Sequence, residues 1–172
     1  HPHALPCEAD TLRLDPTWQV ARQEESRQDH YGIHKLERLA GNVGYIDLRY
    51  FHRPAWGGEA VVEAMKYLSS STAVIIDVRH CTGGYPGMVA LVCTYLFGEE
   101  PVLLDNIYWR DDNLIQQYWT LPYVPGRRFP DAPVLLLTSK KTFSAGEEIA
   151  FILQTRKRAL IIGEKTDGGA HP

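Results

Sequence analysis

Cysteine is scarce in this 172-residue chain: Cys7, Cys81 and Cys93 are the only three. The count is odd and no pair is spaced C-x-x-C, which argues against a disulfide framework and a cysteine zinc site. Neither G-x-x-x-x-G-K-[ST] nor G-x-G-x-x-G occurs, so no nucleotide-phosphate loop is expected and no cofactor or metal is assigned. Basic charge is not in excess. Eighteen Lys and Arg stand against 21 Asp and Glu, a net charge of −3, which gives nucleic acid or an anionic membrane no electrostatic reason to bind. No apolar run approaches the length of a membrane-spanning helix. The start, His1-Pro2-His3, lacks the basic region and apolar stretch of a signal peptide. Internal repeats and low-complexity segments are also missing.

What is present suits one globular domain with a real core. Hydrophobic residues make up 44% and charged residues 23% of the chain, both ordinary values. Residues 1–30 read as an N-terminal extension or part of a preceding subdomain. They hold prolines, a short alternating segment at 11–14, and a charge-dense stretch at 19–30 that is either an exposed linker or a frayed helix. Residues 31–172 read as the core. Tyr31 to Leu39 and Val43 to Tyr50 are strand-like, with Gly41-Asn42 as a two-residue hairpin turn. Phe51 to Gly58 reads as a loop, and Glu59 to Ser69 as an amphipathic helix with Val61, Val62, Met65 and Leu68 on its inner face.

Ala73 to Val78, AVIIDV, is too continuously apolar for a half-exposed strand and predicts a parallel strand covered on both faces. The glycine-rich HCTGGYPG follows at 80–87, then a helix over Met88 to Phe97. Two further strands, 101–110 and 114–120, flank a turn at Asp111 to Asn113. A loop over 121–131 leads to a strand at Pro133 to Leu137, a polar turn at 138–142, a helix opened by Ser144, and a last strand at Ala159 to Ile162. Strand, loop and helix in alternation predict an α/β layer with parallel strands and right-handed crossovers. Sites in such sheets form at the carboxyl ends of strands. The loop at 80–84 and Ser144 therefore share one edge if the strands before them are neighbours.

Ser144 has two readings. With Glu147 it forms S-x-x-E, a capping box, which needs no further explanation for a serine at a helix start. A serine at a strand–turn–helix junction is also placed for nucleophilic attack, with the N–H of Ala145 and the helix dipole near an oxyanion. Gly83 and Gly84 can turn sharply and present a second N–H donor. A serine nucleophile needs a base. Seven histidines are available, His1, His3, His30, His34, His52, His80 and His171, and spacing does not choose among them, although His80 follows the buried strand.

Four blocks in order carry a resemblance: GNVGYIDLRYF at 41–51, AVIIDVRHCTGG at 73–84, TSKKTFSAGEEIAFIL at 138–153 and IIGEKTDGGA at 161–170. With YWTLP at 118–122, they resemble the C-terminal processing (tail-specific) serine protease family, most of all its interphotoreceptor retinoid-binding protein-like branch. The resemblance implies a crotonase/Clp-protease-like spiral of ββα units, apparently truncated at the C-terminus, and a peptide or protein substrate. It favours a periplasmic or extracellular location. It assigns Ser144 as nucleophile, with Gly83 or Gly84 and Ala145 as the oxyanion hole.

The chain departs from the family pattern in two ways. Members with a serine–lysine dyad carry the lysine where this chain has Gly169; Lys165, four residues earlier, does not match. The other branch takes a histidine from upstream of the core, which makes His3 the candidate base, and a glutamate from beyond residue 172. A chain ending at Pro172 is therefore expected to be catalytically silent alone and to be covered by a second copy or another chain. The alternative function is a non-catalytic module holding a hydrophobic small ligand, a retinoid or fatty acid, on the same fold.

Overall fold

The computed structural model describes residues 16–110 and 113–169. The alternating segment at 11–14, His3 and the turn residues Asp111 and Asp112 lie outside the described residues. Helix α1 spans Pro16–Gln28, so the charge-dense stretch is a helix rather than a linker. Salt bridges Arg22–Glu25 and Arg27–Glu24, each one turn apart, run along its exposed side. A single 3₁₀ turn, His30–Gly32, leads into strand β1, Ile33–Leu39, which pairs antiparallel with β2, Val43–Leu48. Gly41 and Asn42 take φ of 76° and 61°, the left-handed region both residue types tolerate. The connecting loop, residues 40–42, is one residue longer than the two-residue turn expected.

Helix α2 spans Pro54–Leu68 and so consumes most of the loop expected at 51–58. Pro54 fits the first helical turn, where its missing N–H has no partner to lose. Gly57 is needed there because a Cβ would come within 2.9 Å of the Tyr31 side chain. Strand β3, Ala73–Asp77, and helix α3, Pro86–Leu96, follow. Strands β4, Leu103–Trp109, and β5, Leu114–Trp119, form a separate antiparallel hairpin. Strand β6, Val134–Thr138, helix α4, Ala145–Thr155, and strand β7, Leu160–Gly163, complete the described chain.

The main sheet is ordered β1-β2-β3-β6-β7, and every neighbour pair after the first hairpin is parallel. The α/β layer expected from the alternation is thus present, and β3 and β6 are neighbours. Helices α2, α3 and α4 lie against one face. Ile46, Leu48, Val74, Ile76 and Leu136 from the strands meet Met65, Leu68, Val89, Ile149 and Ile152 from the helices, each no more than 2% exposed. Burying each such side chain contributes about 1.5–3 kcal/mol. Helix α3 is buried over Met88 to Leu96. Its outer side is closed by the loop after β5, where Phe129 N–H donates to the Tyr95 carbonyl at 2.8 Å and the Tyr95 hydroxyl to the Pro125 carbonyl at 2.7 Å.

The opposite sheet face departs from expectation. Tyr45, Ile75, Leu135 and Leu137 on it are only half-buried, so β3 is covered by helices on one face and not on both. At the carboxyl ends, Asp47 and Asp77 are 5% and 1% exposed, and each is paired with an arginine two residues on. Arg79 donates to both Asp77 oxygens, and the Tyr45 hydroxyl adds a 2.7 Å bond.

Candidate functional site

Parallel pairing of β3 with β6 brings their two following turns together. The Thr142 hydroxyl donates to the Val78 carbonyl at 2.8 Å, the Ser139 hydroxyl to the Arg79 carbonyl at 2.5 Å, and the Phe143 N–H to the Cys81 carbonyl at 3.0 Å. These bonds knit residues 78–83 to residues 139–144. The outcome is direct contact: a Cβ placed on Gly83 would lie 2.9 Å from Ser144 Cβ and 3.3 Å from Ser144 Oγ. Gly83, Gly84, Ser144 and Ala145 therefore sit together on one edge, as their order in the sequence implied.

The backbone of Ser144 is unusual. Its φ of 50° and ψ of −117° lie outside the regions open to residues bearing a Cβ. An ordinary N-cap residue sits in the β region. Of the capping box read from S-x-x-E, the return bond is formed, the Ser144 N–H donating to Glu147 Oε2 at 2.9 Å, while the Ser144 hydroxyl makes no cap bond and the Glu147 N–H donates to the Ser144 carbonyl at 2.7 Å. Capping alone explains the box and leaves the strained dihedrals unexplained, since a cap forms without them. Strain of this kind costs about 1–3 kcal/mol and persists only where surrounding contacts enforce it.

Those contacts converge on Glu147, which is 7% exposed. Its carboxylate accepts from Ser144 N–H, from Gly168 N–H at 2.7 Å and from Gly169 N–H at 2.8 Å. Burial pushes this carboxyl up, but hydrogen bonds from Thr166, Gly168, Gly169 and Ser144 outweigh it and hold the group below its ordinary value. Gly169 also packs against Phe143, whose ring atoms would lie 1.8 Å from an added Cβ. Gly169 thus lies beside the Ser144 turn and carries no side chain. Lys165 is exposed.

Two N–H groups face away from the chain's own acceptors. The Gly83 carbonyl takes the Phe51 N–H at 2.9 Å, and a trans peptide points the following N–H, that of Gly84, the opposite way. The Ser144 carbonyl accepts from Glu147 and Glu148, which by the same rule aims the Ala145 N–H out of the helix end. Among the described residues no acceptor takes either group, nor the Gly83 N–H. The left-handed φ values of 119° at Gly83 and 134° at Gly84 are what allow this path. At Gly84 a Cβ would strike the Phe51 carbonyl oxygen at 2.2 Å.

The neighbouring thiol is not a rival nucleophile. Burial pushes Cys81 up to about 12, and its sulfur would be 3.1 Å from a Cβ on Gly146, so it fills space under the helix start. His52 is engaged elsewhere, with Nδ1 2.8 Å from Ser26 Oγ and Nε2 3.2 Å from Asp29 Oδ2. Among the described residues no histidine or lysine hydrogen-bonds Ser144, and no group of three or more His, Cys, Asp or Glu side chains could hold a metal. Glu147, Thr142 and Cys81 build the site without having been read as its parts. The S-x-x-E motif signalled Glu147 only as a cap, because its bonds to Gly168 and Gly169 are tertiary.

The model of peptidase family S41 matches residues 42–171. A carboxyl-terminal-processing protease of Picosynechococcus sp. is 27% identical over 163 residues, 92% of this chain and 33% of that protein. Among solved structures, a photosystem II D1 C-terminal processing protease is 26% identical with a TM-score of 0.58, over 74% of this chain and 31% of that one. A putative S41 protease from Bacteroides fragilis superposes with a TM-score of 0.69 at 22% identity, over 80% of this chain and 40% of that one. The chain spans about a third of the length of the curated relatives it matches, 33% and 29%.

Proposed function

Given that this chain belongs to peptidase family S41, we propose that Ser144 is the nucleophile of a serine peptidase, with Ala145 N–H and Gly83 or Gly84 N–H as its oxyanion hole. The observation that carries this reading is the strained Ser144 backbone pressed against Gly83, which a helix cap does not require. Ser144 Oγ attacks the peptide carbonyl carbon while its proton passes to a base. The carbonyl oxygen becomes an oxyanion, and the two outward N–H groups hold it. Collapse of the intermediate expels the amine, which takes the proton, and leaves an acyl ester on Ser144 for water to hydrolyse. Preorganised donors of this kind are worth about 10²–10³ in rate each.

The base is assigned to a histidine from upstream, with His3 as candidate, because position 169 is glycine. That assignment belongs with the interphotoreceptor retinoid-binding protein-like branch. The substrate is a peptide segment of a protein, and the complete protein supplies the acid that orients the histidine.

A fluorophosphonate probe on the full-length protein tests the reading. The expected result is one covalent adduct, on Ser144, lost in Ser144→Ala together with peptide hydrolysis. Absence of an adduct alongside tight retinoid or fatty-acid binding would replace catalysis with ligand binding. Lys165→Ala should keep most of the activity; complete loss there would overturn the histidine assignment.

A further inference from the structure

The loop beside the glycine turn carries a cation that no described carboxylate claims. Phe51 and Gly84 form an isolated parallel bridge, which sets residues 50–56 alongside the oxyanion loop. Two residues beyond Phe51, the Arg53 guanidinium lies 4.5 Å from the Tyr85 ring centroid and 5.5 Å from that of Trp56. Its Nε is buried without a hydrogen-bond partner. Among the described residues no Asp or Glu pairs with it. A buried donor with no acceptor is a standing cost that native structures rarely keep.

Of the two cations that act on the neighbouring Tyr50, Arg22 is paired with Glu25 at 2.9 Å, which leaves Arg53 as the one without a carboxylate among the described residues. Arg53 and Tyr85 are the N-caps of α2 and α3, and neither helix has an acidic residue in its first turn. Both dipoles therefore add positive potential at these helix starts, where neither first turn holds an acidic side chain to offset it. Contact with the rings occupies the face of the guanidinium and leaves its terminal Nη groups without a partner among the described residues, and these two groups can grip a carboxylate in bidentate fashion.

We propose that Arg53, walled by Tyr85 and Trp56, is a subsite that takes a carboxylate of the substrate in a residue flanking the scissile bond. The inference rests on the peptidase reading of Ser144 for its position relative to the bond cleaved. The carboxylate is either an acidic side chain or the substrate's own C-terminus.

Three matched peptides separate these sources in the full-length protein: one with an internal Glu and an amidated end, one with Gln and a free carboxylate, one with Gln and an amide. The readout is the ratio of kcat/KM for each anionic peptide to that of the neutral one. The expected ratio is about tenfold for one anionic peptide, the scale of one charge-assisted contact. In Arg53→Met it falls close to one, and Arg53→Lys, which keeps the charge, retains part of it. Which peptide shows the advantage names the source. A ratio near one in the unaltered protein, or one unchanged in Arg53→Met even as all rates fall, overturns the subsite. The same ratio of Kd values is measured in the Ser144→Ala protein. If no peptide is cleaved but the Arg53-dependent Kd ratio persists, the peptidase reading fails and the anion subsite stands. If no peptide binds, the subsite fails.

Discussion

The molecule makes the same turn twice and solves it differently. After β3 the chain passes through Gly83 and Gly84 into α3; after β6 it passes through Ser144 into α4. Each turn needs positive φ, 119° and 134° in the first and 50° in the second. In the first, only backbone N–H groups are presented, and glycine adopts the required dihedrals without a steric penalty. In the second, a residue with a Cβ is held in a conformation it resists, which the proposed role of the Ser144 hydroxyl as nucleophile accounts for. Glu147 and the bonds from residues 138–143 to the neighbouring turn and the 164–169 loop do the holding. The difference separates a turn that serves the backbone from one that serves a side chain.

The largest effect is expected from giving the first turn a side chain. Gly84→Ala places a Cβ 2.2 Å from the Phe51 carbonyl oxygen. Peptidase activity of the full-length protein should fall by about 10²–10³, with a stability loss on the order of 2–4 kcal/mol. Kinetics and urea denaturation check both, and near-normal activity would show that the glycine path is dispensable.

Loosening the second turn should cost a similar amount of stability. Glu147→Ala strips the acceptor from Ser144, Gly168 and Gly169 N–H groups, and about 2–4 kcal/mol should be lost. Because the Glu147 carboxyl is held below its ordinary value, its stabilisation is fully present at neutral pH. It is lost as pH falls through the carboxylate range toward that lower value. Denaturation at neutral pH and at acid pH should show the variant and the unaltered protein converging in acid.

The residue next to it behaves oppositely. Glu148 is 9% exposed with one oxygen lacking a partner, and burial, with Asp105 adding, pushes it from 4.5 up to about 8. The unfolded chain releases this proton near the ordinary value while the folded chain keeps it, so stability falls as pH rises from about 4.5 to about 8 and then levels. Glu148→Gln should remove that slope and gain on the order of 3 kcal/mol at pH 8 relative to pH 5. Parallel pH profiles would contradict the assignment.

Much of this was legible in the sequence because it is local. Continuous apolar runs place β3 and β6, helical patterns place α3 and α4, and the adjacency of the two strands puts Gly83, Gly84, Ser144 and Ala145 on one edge. Pro54, Gly57 and Gly58 read as a loop, yet they open α2, because Gly57 lets the helix pass close to Tyr31. The open face of β3 was hidden because continuous apolarity does not say what covers a strand. The grip of Glu147 on Gly168 and Gly169 spans about twenty residues and has no local signature. His3 lies outside the described residues.

The central claim is that Ser144 is held in strain for its side chain rather than placed as a cap. Urea denaturation of the full-length protein with Ser144→Gly tests it most directly. An ordinary capping serine replaced by glycine loses a few tenths of a kcal/mol. Here glycine relieves the dihedrals of 50° and −117°, so the variant should be more stable than the unaltered protein by about 1 kcal/mol, while losing hydrolysis. A Ser144→Gly protein that is less stable than the unaltered one would contradict the account.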